Sequence, residues 1–276
     1  MKTVFKLAAG LVLAAAMGAT TSAALAAAMN LAASDATAPA AEDKTAERPL
    51  EHPSVKRPFE LPPSADLTYS ISARQRGFSL NGDAMLVWRA GEGKYSVSAE
   101  SHVAMLGKLT ENRSSGSIDA YGLAPAEYYD KRFRKEPTTA TFDRDDKTIG
   151  FSDGKQSYPI KGGEQDRVSI SWQLAAIARA AGAKFKPGSD WAFFVVGPRD
   201  ADPWTFHVVG REKVQAGAAI GMVDAVHVLR EPPPDTKDQT LDIWLAPSQE
   251  WYPVKLRFTD NDRDYVEQTL ERITRK

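Results

Sequence analysis

The sequence contains no cysteine, so disulfides, thiolate metal sites, a cysteine nucleophile and a lipid-modified amino-terminal cysteine are all excluded. It also lacks any excess of one charge: 35 lysines and arginines stand against 36 aspartates and glutamates, which removes the basic surplus expected of a nucleic-acid binder. Histidine is scarce, at four residues, and no two lie at a metal-ligand spacing. Long apolar runs are missing everywhere except at the amino terminus. What remains is globular in composition, 42% hydrophobic and 26% charged over 276 residues, too apolar for a mainly disordered chain.

Lys2 and Lys6 precede an apolar stretch from Leu7 to Ala19, and small residues follow to Ala24-Leu25-Ala26. This is the three-part pattern of a secretory signal peptide over residues 1–26; a membrane-spanning anchor needs about 20 apolar residues and different flanks. Cleavage takes away two of the 35 basic residues and none of the 36 acidic ones, leaving a formal charge of -3. The expected location is the periplasm or the exterior, without a lipid anchor. From Ala27 to Ser64 the chain is Ala, Pro and charge, including Pro39, Pro49, Pro53, Pro58, Pro62 and Pro63, and is expected to be a disordered tether. Residues 65–276 then form one domain.

Beyond Asp66 the dominant period is two. Leu67, Tyr69, Ile71 and Ala73 alternate with polar residues, as do Tyr95, Val97 and Ala99; Trp204, Phe206 and Val208; Leu241, Ile243 and Leu245; and Val254, Leu256 and Phe258. Turn signals at Asn81-Gly82, Asp153-Gly154 and Asp260-Asn261 separate the runs. The pattern predicts a mainly β fold, an antiparallel sheet curled into a barrel or open barrel. One segment departs from it. Asp166 and Ser169 offer capping oxygens, Ile170, Leu174, Ile177 and Ala181 recur at helical spacing, and Gly182 follows, so residues 168–181 are predicted to be a helix. It is apolar over most of its circumference, Trp172 included, and is expected to be buried against the open side or mouth of the sheet as packing or plug.

Gln165-Asp166-Arg167-Val168-Ser169-Ile170-Ser171-Trp172, Ile243-Trp244-Leu245-Ala246-Pro247, Trp251-Tyr252-Pro253-Val254-Lys255-Leu256 and Tyr265-Val266-Glu267-Gln268-Thr269-Leu270 resemble the exported bacterial family catalogued as domain of unknown function 3108. The resemblance runs from about residue 65 to the end. It implies a periplasmic β-rich fold similar to the open barrels of lipoprotein carriers, and brings no established catalytic residues.

Four constellations invite chemical readings. Gly150-Phe151-Ser152-Asp153-Gly154 has the letters of a nucleophile elbow, but a strand-like segment follows where that motif needs a helix. Asp260, Asp262, Asp264 and Glu271 match positions of a calcium loop whose obligatory glycine is Tyr265, so a polar hairpin loop is the simpler reading. His52, His102, His207 and His227 show no ligand spacing. Lys131-Arg132-Phe133-Arg134-Lys135 either touches anionic lipid headgroups or guards an edge strand, and the edge strand is favoured because Asp130 and Glu136 dilute the charge.

The expected function is therefore non-enzymatic: binding of a hydrophobic or amphipathic envelope molecule, a lipid or acyl chain, between sheet and helix. Tyr69, Trp88, Trp172, Ile177 and Phe206 are the candidate ligand-binding residues, with no catalytic residue, no metal and no cofactor. Alternatives are an envelope assembly factor acting through a protein partner, and an envelope hydrolase. A monomer that is not an integral membrane protein is expected.

Overall fold

The computed structural model describes residues 51–104, 106–233, 236, 238–260 and 264–276. The proposed signal peptide and residues 27–50 lie outside the described residues. The first half of the domain is a meander of eight strands: β1 (Ala65–Gln75), β2 (Phe78–Gly91), β3 (Lys94–Val103), β4 (Gly107–Asp119), β5 (Gly122–Arg132), β6 (Thr138–Asp143), β7 (Thr148–Phe151) and β8 (Ser157–Pro159). A short strand β9 (Gln165–Asp166) leads into the helix α1 (Ser169–Ala181). The second half comprises β10 (Asp190–Val196), β11 (Ala201–Gln215), β12 (Met222–Arg230), β13 (Thr240–Leu245), β14 (Pro253–Thr259) and β15 (Tyr265–Arg275).

The fifteen strands of the described residues form one sheet, with β8 at one edge and β9 at the other. The two halves meet in its middle, where β1 pairs with β15 and Ala65 lies opposite Arg275. Every pairing is antiparallel except β9 with β10. The edges are not joined by a ladder; apolar packing of Phe142, Ile149 and Phe151 against Phe194, Val196 and Ala201 holds them together. The result is the curled, open sheet that the period-two pattern implied.

Alternation places Leu67, Tyr69, Ile71 and Ala73 on the inner face, each at 7% exposure or less. Burial of a side chain of that size contributes about 1.5–3 kcal/mol, so the inner face determines the register. The first turn falls at Arg76-Gly77, both with positive φ as a two-residue hairpin demands, and not at Asn81-Gly82. Gly82 lies inside β2 opposite Val103, where a Cβ would stand 2.2 Å from the His102 carbonyl oxygen. It is glycine because β3 approaches closely, which local sequence does not distinguish from a turn.

Helix α1 begins one residue later than predicted. Its first ten residues, Ser169 to Ala178, are all buried. Trp172 packs into the core of β1, β2 and β3, while Ile170, Leu174, Ile177 and Ala178 pack into a second core of β10 to β13. The helix is thus clasped inside the curl, between the halves. Gln173 ties it to the β4–β5 hairpin, accepting from the Leu123 amide at 2.8 Å and donating to the Tyr121 carbonyl at 2.7 Å.

Part of the tether expected over 27–64, residues 51–64, is held against the domain. Residues 51–64 form no helix or strand yet are fastened along the domain. His52 stacks on Phe194 at 3.9 Å and meets Glu164 at 2.9 Å; the Glu60 amide donates to Ala176; Trp88 Nε1 donates to the Pro62 carbonyl at 3.0 Å and Tyr252 Oη to that of Pro63 at 2.7 Å. An extended proline-rich backbone leaves its carbonyls free for such donors, and contacts of this kind leave no apolar period in the sequence.

Candidate functional site

Between the inner face of the sheet and the amino-terminal end of α1 lies a cavity of about 90 Å³, partly open to solvent. Tyr69, Leu241, Leu256 and Phe258 from the strands, Val168 just before the helix and Trp172 on it give it apolar walls. Ser101, Thr110, Asn112, Ser171, Gln268 and Arg167 form its polar side. Much of that side is already satisfied: Ser101 and Thr110 share a hydrogen bond at 2.6 Å, and Asn112 Nδ2 donates to Asp130 Oδ2 at 2.8 Å. Arg167 differs. Its guanidinium lies over Trp204 at 5.6 Å and 3.5 Å from Asp200, while its buried Nε has no partner among the described residues.

Of the five residues expected to bind a ligand, the structure brings Tyr69 and Trp172 to the cavity and leaves three away from it. Trp88 lies behind Trp172, stacked on it, with its indole N–H spent on Pro62. Ile177 and Phe206 are wholly buried in the second core, against β10 to β13. All three are buried and inward-facing, but inward residues either fill space or border it, and periodicity carries no information on which. Leu241, Leu256 and Phe258 were legible as inward strand residues; Arg167 and Ser171 carried no sequence signal of a wall. Tyr69 donates its hydroxyl to the Pro253 carbonyl at 2.8 Å, and burial pushes its ionisation far above the usual tyrosine range.

The helix amino terminus is held by Asp166. Its Oδ1 accepts the amides of Val168 and Ser169, both at 2.8 Å, and its Oδ2 accepts the Ser114 hydroxyl, which meets Tyr95 Oη at 2.9 Å. The carboxylate thus caps α1 from two residues upstream of the predicted start and ties it to β4. Complete burial outweighs these donors and pushes the Asp166 carboxyl up to about 6.

The remaining motifs resolve as follows. After Phe151 the chain turns at Asp153-Gly154 and enters β8, so Ser152 has no helix behind it; its hydroxyl accepts the Thr139 amide at 3.1 Å. Glu271 belongs to β15 and accepts from Ser70, while Asp260 and Asp264 close the β14–β15 turn on each other; Asp262 lies outside the described residues. His52, His207 and His227 each pair with a carboxylate, and no group of three metal-ligating side chains occurs among the described residues. The basic cluster corrects an expectation. It lies at the end of β5, between β4 and β6 in the middle of one half, and so guards no edge.

The model of the family described as "Protein of unknown function (DUF3108)" matches residues 68–268. The chain belongs to the DUF3108 family. No curated protein matches this DUF3108 chain. Among solved structures it is similar to an exported protein with a YmcC-like fold from Bacteroides fragilis, at 12% identity and a TM-score of 0.29, covering 80% of this chain and all of that one. It is also similar to a DUF1329 family protein from Desulfovibrio piger, at 7% identity and a TM-score of 0.26, covering 78% of this chain and 86% of the other. Within the DUF3108 domain no described helix is long and apolar enough to cross a membrane.

Proposed function

We propose that this DUF3108 protein is a non-enzymatic binding protein of the cell envelope that takes up a hydrophobic or amphipathic molecule, a lipid or acyl chain, between the curled sheet and α1. The observation that carries this reading is the cavity at the amino-terminal end of the helix, apolar on one side and bordered by Arg167 on the other. A site with apolar walls and few polar groups orients an amphipathic ligand, its chain toward Trp172 and Phe258. Its size sets a condition. At about 90 Å³ it is smaller than the roughly 150 Å³ void that accepts benzene in an engineered protein core, so it receives the end of a chain while the remainder leaves through the opening. The periplasmic location belongs to the same proposal: it is supported by the charged, apolar and small-residue order of residues 1–26, and the lack of cysteine supports a protein without a lipid anchor.

The test is mass spectrometry, native and after organic extraction, of the protein purified without detergent after export. Stoichiometric lipid, displaced when the cavity is filled by Ala84→Leu, is the expected result. A clean apo mass that stays unchanged on adding envelope lipids would overturn the reading.

A further inference from the structure

Because consecutive strands are antiparallel, the β1–β2, β3–β4 and β5–β6 turns all emerge at one end of the sheet. Of the described residues that form these three tips, 74–80, 103–104, 106–108 and 131–137, the charged ones are Arg74, Arg76, Lys108, Lys131, Arg132, Arg134 and Lys135 against the single acid Glu136. The two acids expected to dilute the cluster separate in the structure. Asp130 is buried and occupied by Arg132 at 2.9 Å and by Asn112, whereas Glu136 alone stays at the surface with Arg134 and Lys135. Lys108 is balanced by Glu100 and Glu111. Around the same tips Leu80, Leu106 and Phe133 pack on Val103 and Leu109 as a small apolar cluster, which Leu80 links to the core of β1 to β3. Phe78, at the β1–β2 tip, is 57% exposed.

Apolar side chains at loop tips ringed by cations have the chemistry of a surface that rests on anionic lipid: the cations meet headgroups and the aromatic ring enters the boundary beneath them. We propose that these three tips dock the protein on an anionic bilayer, with Phe78 as the apolar contact and Arg76, Arg134 and Lys135 as headgroup contacts. The excess of positive charge lies on the first half. At the same end the second half carries Asp200, Glu231, Asp238, Asp260 and Asp264 against Arg199, and Asp264 accepts the Arg76 amide at 2.6 Å, so the molecule meets the bilayer tilted onto β1 to β6 with Arg134 and Lys135 foremost. The cavity is at this end too, since Ser101, Thr110, Leu241 and Phe258 lie within a few residues of the tip ends of their strands. Docking nevertheless stands on the tips alone and does not require that the cavity be filled.

The experiment is flotation of the exported, processed protein with vesicles of phosphatidylcholine alone or mixed with phosphatidylglycerol, at low and high salt. Binding to the anionic vesicles that weakens with salt, and falls by at least about tenfold in R134E/K135E and in F78S, is expected. Both variants change exposed positions, and their thermal unfolding should match that of the parent, which separates loss of docking from loss of fold. Equal partition into neutral and anionic vesicles, no partition into either, or binding that both variants retain would each overturn the proposal. Failure here with lipid still found in the extracted protein would leave the binding function intact and remove only the docking surface.

Discussion

The indole of Trp172 on α1 lies flat on that of Trp88 on β2, ring centroids 4.4 Å apart and planes 7° from parallel. With the Gln173 bonds to the β4–β5 hairpin, this stack joins the helix to the first half of the sheet, and Tyr252 meets Trp172 edge-on at 5.9 Å. Both tryptophans are essentially unexposed. Trp172→Ala is expected to cost about 3–5 kcal/mol, the range for truncating a buried tryptophan, and to enlarge the cavity that Trp172 borders. Denaturant unfolding with near-ultraviolet circular dichroism checks it. A loss below about 1 kcal/mol would mean that the helix is not anchored by this stack.

The strap of residues 51–64 makes a second prediction. Limited proteolysis should trim the amino-terminal segment and stop near residue 51, because Glu164 holds the His52 side chain and Trp88 and Tyr252 hold the carbonyls of Pro62 and Pro63. Removing one of these bonds with Tyr252→Phe is expected to cost about 1 kcal/mol and to move the cleavage boundary toward Ser64. Protection that begins only at residue 65 in the parent protein would restore the longer tether.

Asp166 gives a pH dependence with a definite sign. Its carboxyl ionises at about 6 in the folded protein against an ordinary 3.8, so the folded state holds the proton more tightly. Stability from this group is therefore complete below about pH 4 and is lost as pH rises toward 6, with a total on the order of 3 kcal/mol. Asp166→Asn keeps an oxygen for the Val168 and Ser169 amides and removes the buried charge. Its melting temperature should equal or exceed that of the parent at pH 8, with the advantage shrinking as pH falls below 6. A variant less stable at pH 8 than at pH 5, relative to the parent, would show that the donors and helix dipole outweigh burial.

Cavity wall and core should respond differently. Ala84 borders the cavity and is buried, so Ala84→Leu should fill it and reduce bound lipid, with an overpacking cost of about 1–3 kcal/mol or less. Ile177 touches only the second core, so Ile177→Val should cost about 0.5–1.5 kcal/mol and leave lipid content unchanged. Thermal unfolding and extraction on both variants separate the two roles. Equal lipid loss in both would place the ligand between α1 and β10 to β13 instead.

The strands from Leu67 to Ala73 and from Leu241 to Leu245, and a buried helix near 168–181, were legible because periodicity is a local property: one face must be apolar wherever one face is buried. The open, curled sheet follows from their number. Tertiary structure alone decided which inward residues border space. Trp88 and Trp172 are indistinguishable by pattern, yet one is packing and the other a wall, because that depends on what arrives from strands far away in the chain. The same holds for Asp130 and Glu136, equal as charges in the sequence and separated only when Arg132 and Asn112 enclose the first. It holds also for Pro62 and Pro63, whose composition reads as spacer until Trp88 and Tyr252 supply donors for their carbonyls. Pairing partners remote in sequence leave no local imprint, and in this protein they determine the cavity, the strap and the charged tips.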